Sequence, residues 1–236
     1  IAGASFGYSL IWAIILSTFS TIVLQEMSLR IGLVTRMNLA EVIRTSIKSV
    51  LLNRFIILLI ISSILIGNAA YEAGNITGAS LGISAIINNQ SVNYFPILIG
   101  LIAFIILYQG NYKILERSLI SLVLLMSISF FITAIMTKPD ITNMLNGIFK
   151  PKVNSDNLLI ILGLIGTTVV PYNIFLHSSL VSEKWNSIHK LRVARLESFI
   201  SILLGGLISL SIIITAASVT NQNITGVIDL AKGLEP

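Results

Sequence analysis

The sequence predicts an all-α protein that spans a membrane several times. Only 11% of its 236 residues are charged and 55% are hydrophobic, whereas a typical soluble domain has about 25% charged residues. The mean hydropathy is +0.92. So few charges cannot cover a water-soluble surface of this size, and lipid is the solvent that remains.

Long stretches without Asp, Glu, Lys or Arg indicate helices rather than strands. A spanning helix needs about 20 mostly apolar residues, whereas a barrel strand has about 10 residues that alternate in polarity. The uncharged stretches are longer than a strand and continuously apolar. They are Ile1–Gln25, Phe55–Tyr71, Ala73–Tyr112, Ser118–Thr137, Leu158–Ser182 and Ser198–Ile228.

These stretches predict one transmembrane domain over residues 1–236 with six spans. The chain starts with Ile inside an apolar run and stops abruptly, so we expect a fragment of a longer protein. The predicted spans are about 8–34, 55–88, 94–112, 116–137, 157–182 and 194–220.

The distribution of Lys and Arg predicts the orientation of these spans. Most basic residues fall in the loops 30–54, 113–117 and 183–195, and positive loops favour the cytoplasm. We therefore expect these loops in the cytoplasm and the spans in the plasma (inner) membrane. The net charge of +5 is explained by these loops and does not indicate a nucleic-acid partner. The basic residues predicted on the other side are Lys138, Lys150, Lys152 and Lys232.

The first of these loops has two interpretations. Asn38 is a suitable N-cap, and Glu41 follows three residues later, which is the spacing of a capping box. Residues Asn38–Val50 therefore form either a short cytoplasmic helix or a plain interfacial loop.

The fifth span contains a proline near its centre. Pro171 has no N–H to donate, and its ring clashes with the carbonyl four residues earlier, that of Thr167. Gly166 and Asn173 lie close by in sequence and favour a helix break. Irregular backbone inside a membrane is tolerated only where it is buried or lines a cavity, and many transporters hold ions at such breaks. A proline kink relieved by the threonine hydroxyls is the other interpretation.

Three further polar residues lie at mid-depth. A carboxylate such as Glu72 costs about 3 kcal/mol on insertion scales, so it is a functional hypothesis by default. Asn68, Glu72 and Asn75 share one helical face, beside a stripe of Gly74, Gly78 and Gly82. Glu72 is either a proton relay or cation contact, or a protonated member of a structural network. His177, four residues after Asn173, either serves the site or bonds to a neighbouring helix.

Motifs of catalysis are missing from the sequence. There is no cysteine, which excludes disulfides and thiolate metal sites. No phosphate-binding loop or metalloprotease helix occurs. We therefore expect neither an enzyme nor a resident cofactor.

The fifth span resembles a family motif. Gly166-Thr-Thr-Val-Val-Pro-Tyr-Asn-Ile-Phe-Leu-His-Ser-Ser-Leu-Val181 is similar to Gly-Ala-Thr-Val-Met-Pro-His-Asn-Leu-x-Leu-His-Ser in the sixth helix of the natural resistance-associated macrophage protein (Nramp) family. The resemblance is collinear along the chain. It also covers Phe6-Gly-Tyr8, Leu24 to Thr35, Leu39-Ala-Glu-Val-Ile-Arg44 and Ala231–Pro236.

The resemblance implies a LeuT-type helical bundle (amino acid-polyamine-organocation-like) with discontinuous first and sixth helices. On that mapping the chain runs from the end of helix one through helix seven. It implies proton-linked transport of a divalent metal ion by alternating access, with the metal ion, protons and the lipid bilayer as partners. The family's Asp-Pro-Gly-Asn metal motif on helix one has no counterpart in this chain.

The resemblance also assigns site residues, with departures that bear on the substrate. Val170 matches the metal-binding methionine of the family, Tyr172 matches the next histidine position, and Thr167 matches the alanine whose carbonyl contacts the metal. The paired acids of the third helix map to Glu72 and Asn75. Loss of the thioether favours a harder cation, Mg²⁺ or Mn²⁺, over softer metals. An organic-cation or amino-acid transporter of the same fold and an inactive membrane remnant are the alternatives.

Overall fold

The computed structural model describes residues 2–87, 94–110, 112–185 and 187–218, and all regular structure in these ranges is helical. Two 3₁₀ turns, Gly7–Leu10 and Ile188–Lys190, precede the second and the last helix. The helices are α1 (Ala2–Phe6), α2 (Ile11–Thr35), α3 (Leu39–Ser46), α4 (Val50–Ile87), α5 (Phe95–Gln109), α6 (Tyr112–Met136), α7 (Ile141–Phe149), α8 (Ser155–Thr168), α9 (Pro171–Lys184) and α10 (Leu191–Ser218).

Among the described residues, five helical stretches are long and apolar enough to cross a membrane. They are Ala2–Thr35, Val50–Ser84, Leu115–Met136, Ser155–Lys184 and Ile188–Ser218. The predicted span 94–112 corresponds to α5, which has only 15 residues. A rise of about 1.5 Å per residue gives α5 a length of about 22 Å, below the roughly 30 Å of a hydrocarbon core. The predicted ends at 88 and 219–220, and Lys232 with the tail, lie outside the described residues.

The helices form two compact units. The first contains the described residues of Ile1–Ile11, Tyr71–Lys150 and Ile208–Pro236. Here Gly3 packs so closely on α10 that a Cβ would lie 2.5 Å from the carbonyl oxygen of Ile213. Stripes of small residues let membrane helices approach closely, but the structure shows no such contact at the glycine stripe of α4. A Cβ on Gly74, Gly78 or Gly82 would meet nothing within 4 Å, so no helix of the described chain packs closely on this stripe.

The second unit contains Trp12–Ala70 and Pro151–Leu207. Its apolar core joins α2, α9 and α10 through Leu29, Leu33, Val181 and Ala194, with Trp185 and Leu191 packed against it. The broken helix and its neighbours therefore share one core.

The short helix α3 confirms the capping prediction. The Asn38 side chain accepts a hydrogen bond from the Glu41 N–H at 2.9 Å, and the Glu41 carboxylate accepts one from the Asn38 N–H at 3.1 Å. This reciprocal pair satisfies two N–H groups that the helix leaves free. The helix interpretation is correct, although α3 ends at Ser46 rather than at Val50.

Adjacent glycines of α10 provide a test of the packing of α10 against α2. A Cβ on Gly206 would lie 2.6 Å from Cγ2 of Thr18 on α2, whereas a Cβ on Gly205 would meet nothing within 4 Å. Gly205→Ala should leave the melting temperature equal or higher, because Ala favours a helix by about 1 kcal/mol over Gly. Gly206→Ala should lower it, because overpacking costs about 1–3 kcal/mol. Thermal unfolding in detergent measures both, and equal melting temperatures would contradict the α2–α10 contact.

Candidate functional site

The predicted discontinuity of the fifth span is confirmed. α8 ends at Thr168 and α9 begins at Pro171. The two residues between them are not helical, with φ −92°, ψ 80° at Val169 and φ −95°, ψ 123° at Val170. Pro171 occupies the first position of α9, where its missing N–H has no helical partner to lose. The proline therefore starts a new helix, and a simple kink is not what the structure contains.

Threonine hydroxyl groups donate hydrogen bonds to the carbonyl groups near the end of α8. Thr167 Oγ1 donates to the carbonyl of Gly163 at 2.7 Å, and Thr168 Oγ1 donates to that of Leu164 at 2.8 Å. The carbonyl of Thr168 accepts a hydrogen bond from Thr21 Oγ1 of α2 at 3.3 Å. The sequence predicts a clash of Pro171 with the carbonyl of Thr167, but the hydrogen bond from α2 is accepted by the carbonyl of the next residue, Thr168.

The second half-helix is fixed to α2 and α3. Ser28 Oγ of α2 donates to the carbonyl of Ile174 at 2.5 Å. Four residues on, Gly32 lies so close to α9 that a Cβ would overlap the carbonyl oxygen of Ser178. Ser178 Oγ donates to the carbonyl of Phe175 at 2.7 Å and accepts from the Leu39 N–H at 2.9 Å. These contacts place α9 against both helices at once.

The predicted metal contacts all lie at the break, with different exposures. The side chain of Thr167 is exposed, that of Tyr172 is half-buried, and that of Val170 is only 5% exposed. The Tyr172 ring lies 3.8 Å from the place that a Cβ on Gly67 of α4 would take. Gly166 lies in the last turn of α8. Asn173 lies in the first turn of α9, where its N–H donates to the carbonyl of Val170 at 3.1 Å.

His177 lines a cavity of about 270 Å³ between α2, α9 and α10. Its Nε2 lies 3.4 Å from the hydroxyl of Ser198, a residue of α10. The sequence did not indicate Ser198 or Gln25 as neighbours of this histidine, since they are distant along the chain. The lining is Gln25, Leu29, His177, Leu180, Val181, Lys184, Trp185, Ala194, Glu197, Ser198, Ser201 and Ile202.

Ion pairs join α10 to α2 and to α9. Glu26 of α2 contacts Arg30 at 2.7 Å and Arg195 of α10 at 2.6 Å. Lys184 pairs with Glu197, and its ammonium lies 5.2 Å from the centroid of the Trp185 ring. The spacing of Glu26 and Arg30 is the helical i,i+4 signal, but nothing local indicates the contact with Arg195.

Glu72 and Asn75 belong to the other compact unit, as exposed residues of α4. In the described part of the chain, no three or more His, Asp, Glu or Cys side chains group closely enough to hold a metal ion.

These features define a class of protein: a helical membrane protein with several spans, one of which is broken near its middle. A sequence model described as "Natural resistance-associated macrophage protein-like" (Nramp) matches residues 1–236. The chain belongs to this family. It is an integral membrane protein, and the predicted all-α fold of LeuT type with discontinuous helices is confirmed.

Individual relatives give the extent of the likeness. The chain is 29% identical over 233 residues to the divalent metal cation transporter MntH of Bacillus subtilis (strain 168), covering 94% of this chain and 53% of the relative. It is 30% identical over 226 residues to the metal transporter nramp1 homolog of Dictyostelium discoideum, covering 90% and 41%. The chain thus spans about half the length of these relatives, which are named as transporters and not as enzymes.

A solved structure gives the likeness in fold. The Eremococcus coleocola manganese transporter, in complex with an aromatic bis-isothiourea substituted compound, matches with a TM-score of 0.71. The match has 22% sequence identity and covers 92% of this chain and 46% of that chain. The chain therefore shares its helical fold with this structure, although only 22% of the aligned residues are identical.

The close α2–α9 contact can be tested by filling it. Gly32→Ala should force α9 away from α2, since the added methyl group would meet the backbone of Ser178. We expect faster hydrogen–deuterium exchange in α9 and a lower melting temperature. Gly163→Ala in α8, where a Cβ meets nothing within 4 Å, is the control: it should leave exchange in α9 unchanged and the melting temperature equal or higher. Unchanged exchange in the Gly32 variant would refute the contact.

Proposed function

We propose that the protein is a secondary transporter that moves a divalent metal cation across the membrane, linked to proton movement. The observation that carries this proposal is the two-residue break between α8 and α9 in a chain of the Nramp family. Such breaks leave backbone groups available at the midplane, where transporters bind ions. The names of the relatives, a divalent metal cation transporter and a manganese transporter, support the same class of substrate.

The cation contacts would come from Thr167, Val170 and Tyr172. Thr167 offers its carbonyl, Tyr172 offers its phenol oxygen, and Val170 can contribute only backbone because its side chain is an alkyl group. Further ligands would come from a helix-one motif that has no counterpart in this chain. An oxygen donor set without sulfur favours Mg²⁺ or Mn²⁺ over Cd²⁺. The substrate that we propose is therefore a hard divalent cation.

A thioether placed at the break tests this preference. Val170→Met in the full-length protein should raise uptake of Cd²⁺ relative to Mn²⁺, because sulfur binds softer metals more tightly. Val169→Met, at the neighbouring non-helical position, is the matched control and should leave the ratio unchanged. Uptake into proteoliposomes with metal-sensitive dyes gives both ratios. An unmodified protein that takes up Cd²⁺ far better than Mg²⁺ would contradict the proposed substrate.

The proton path would involve Glu72, Asn75 and His177. A carboxyl group within a membrane span is costly and therefore a default functional candidate. His177 supports the proposal by its position, since it lines a cavity and has Ser198 within 3.4 Å. A histidine in this setting can accept and release a proton without a change of backbone.

Neutral substitutions separate this path from a structural role. Glu72→Gln should abolish metal-driven acidification inside proteoliposomes while the variant still folds, because an amide cannot carry a proton at this position. His177→Gln should slow acidification. Glu183→Gln, an exposed residue near the end of α9, is the control and should behave like the parent. If Glu72→Gln kept both uptake and its pH dependence, Glu72 would be structural.

We propose that loops 30–54, 113–117 and 183–195 face the cytoplasm, with the protein in the plasma (inner) membrane. The excess of Lys and Arg in these loops supports this orientation. Arg36 Nη1 donates to the carbonyl of Trp185 at 2.8 Å. That bond joins the first and third of these loops and so supports their position on one side of the membrane.

A further inference from the structure

The short helix α7 has three faces of different character. At about 100° per residue, one face carries the half-buried or buried Met144, Gly147 and Ile148, and the opposite arc carries polar residues. Between them lies an apolar stripe that is exposed. The stripe consists of Ile141, Leu145 and Phe149, which are 70%, 49% and 76% exposed.

The buried face fixes the direction in which this stripe points. Gly147 lies so close to the 3₁₀ turn Gly7–Leu10 that a Cβ would overlap the carbonyl oxygen of Tyr8. Asp140 caps the helix by accepting from the Asn143 N–H at 3.1 Å. A helix of nine residues is too short to be stable alone in water, so this docking defines it. The exposed stripe is therefore a fixed surface of the first unit.

The position of α7 along the chain places it at the membrane boundary. α6 ends at Met136 as a spanning helix, and the next candidate span begins at Ser155. The last turn of α6 exposes Ile135 and Met136 by 62% and 74%, so a surface suited to lipid reaches the start of the connection. The connection between these spans must therefore lie at one face of the bilayer.

The charges beside the stripe suit phospholipid. Lys138 and Lys150 are exposed and flank α7 at its two ends. Lysine side chains can lay their alkyl stems along apolar surface and keep the ammonium at the level of the headgroups. A phospholipid layer likewise has apolar acyl chains next to charged phosphate groups. Exposure of the apolar stripe to water instead would cost free energy.

We propose that α7 is an interfacial anchor whose occupant is the bilayer itself. Ile141, Leu145 and Phe149 insert at the boundary between headgroups and acyl chains, and Lys138 and Lys150 contact lipid phosphates. A helix with one apolar and one polar face lies in the interface plane in this way. Because α7 is docked on the 3₁₀ turn of the first span, the anchor fixes the depth of that turn in the membrane.

Spin labels on adjacent residues test the anchor. The chain has no cysteine, so single cysteines can be introduced into the full-length protein and labelled without background from this part. The stripe positions 141, 145 and 149 are compared with positions 142 and 146, which are exposed on the polar face of α7. In vesicles of phosphatidylethanolamine and phosphatidylglycerol, collision rates with oxygen and with a water-soluble nickel chelate report lipid and water exposure.

We expect the oxygen-to-nickel ratio to be several-fold higher at the stripe than at the polar neighbours. A nickel-accessible stripe would show that α7 stands in water, and spin–spin broadening between copies would show that a second chain covers it. Either result overturns the proposal. If a labelled variant does not fold, Phe149→Trp in a Trp12→Phe and Trp185→Phe background replaces it. Brominated phospholipid should then quench this tryptophan, and Asn146→Trp, its control, should be quenched several-fold less.

Discussion

The contact between α2 and α9 is the constraint on which the second unit depends. A break inside a membrane leaves backbone groups that lipid cannot satisfy, so neighbouring helices must hold the two ends. α2 does so with two hydroxyls spaced seven residues apart: Thr21 bonds to the carbonyl of Thr168 before the break, and Ser28 bonds to that of Ile174 after it. Gly32 then permits the backbones to touch. One face of α2 thereby contacts the chain on both sides of the discontinuity.

These contacts tie the candidate proton site to the same face. Thr18, Thr21, Gln25, Ser28 and Gly32 recur at steps of three and four residues, which is one helical stripe. Thr18 receives Gly206 of α10, and Gln25 lines the His177 cavity. The stripe therefore positions α8, α9 and α10 together. On the proposed function, any movement of α9 during transport has to carry α2 with it or break this contact.

Local chemistry explains what could be predicted from the sequence. Pro171 breaks a helix by its own covalent structure, and Asn38 forms a cap with Glu41 only three residues away. The break and the cap could therefore both be predicted from the sequence. The second partner of Glu26 could not be predicted, because Arg195 lies on another helix and only packing brings it within 2.6 Å. The same holds for Ser198 beside His177. The fold class could be predicted from the sequence pattern, whereas the residues that neighbour a site depend on contacts between distant segments.

The geometry of the break also ranks the proposed cation contacts. The carboxyl end of α8 carries partial negative charge and the amino end of α9 carries partial positive charge, so a cation is favoured on the α8 side. Pro171 helps, because it removes one N–H from the end that would repel the ion. Thr167, at the carboxyl end of α8, is thus better placed to contact a cation than Tyr172. Tyr172 belongs to the positively charged amino end of α9 and would reach the ion only through its phenol oxygen. On the proposed function, Val170 has no donor atom in its side chain, so carbonyl oxygen rather than sulfur would coordinate the ion. A donor set of this kind favours a hard cation.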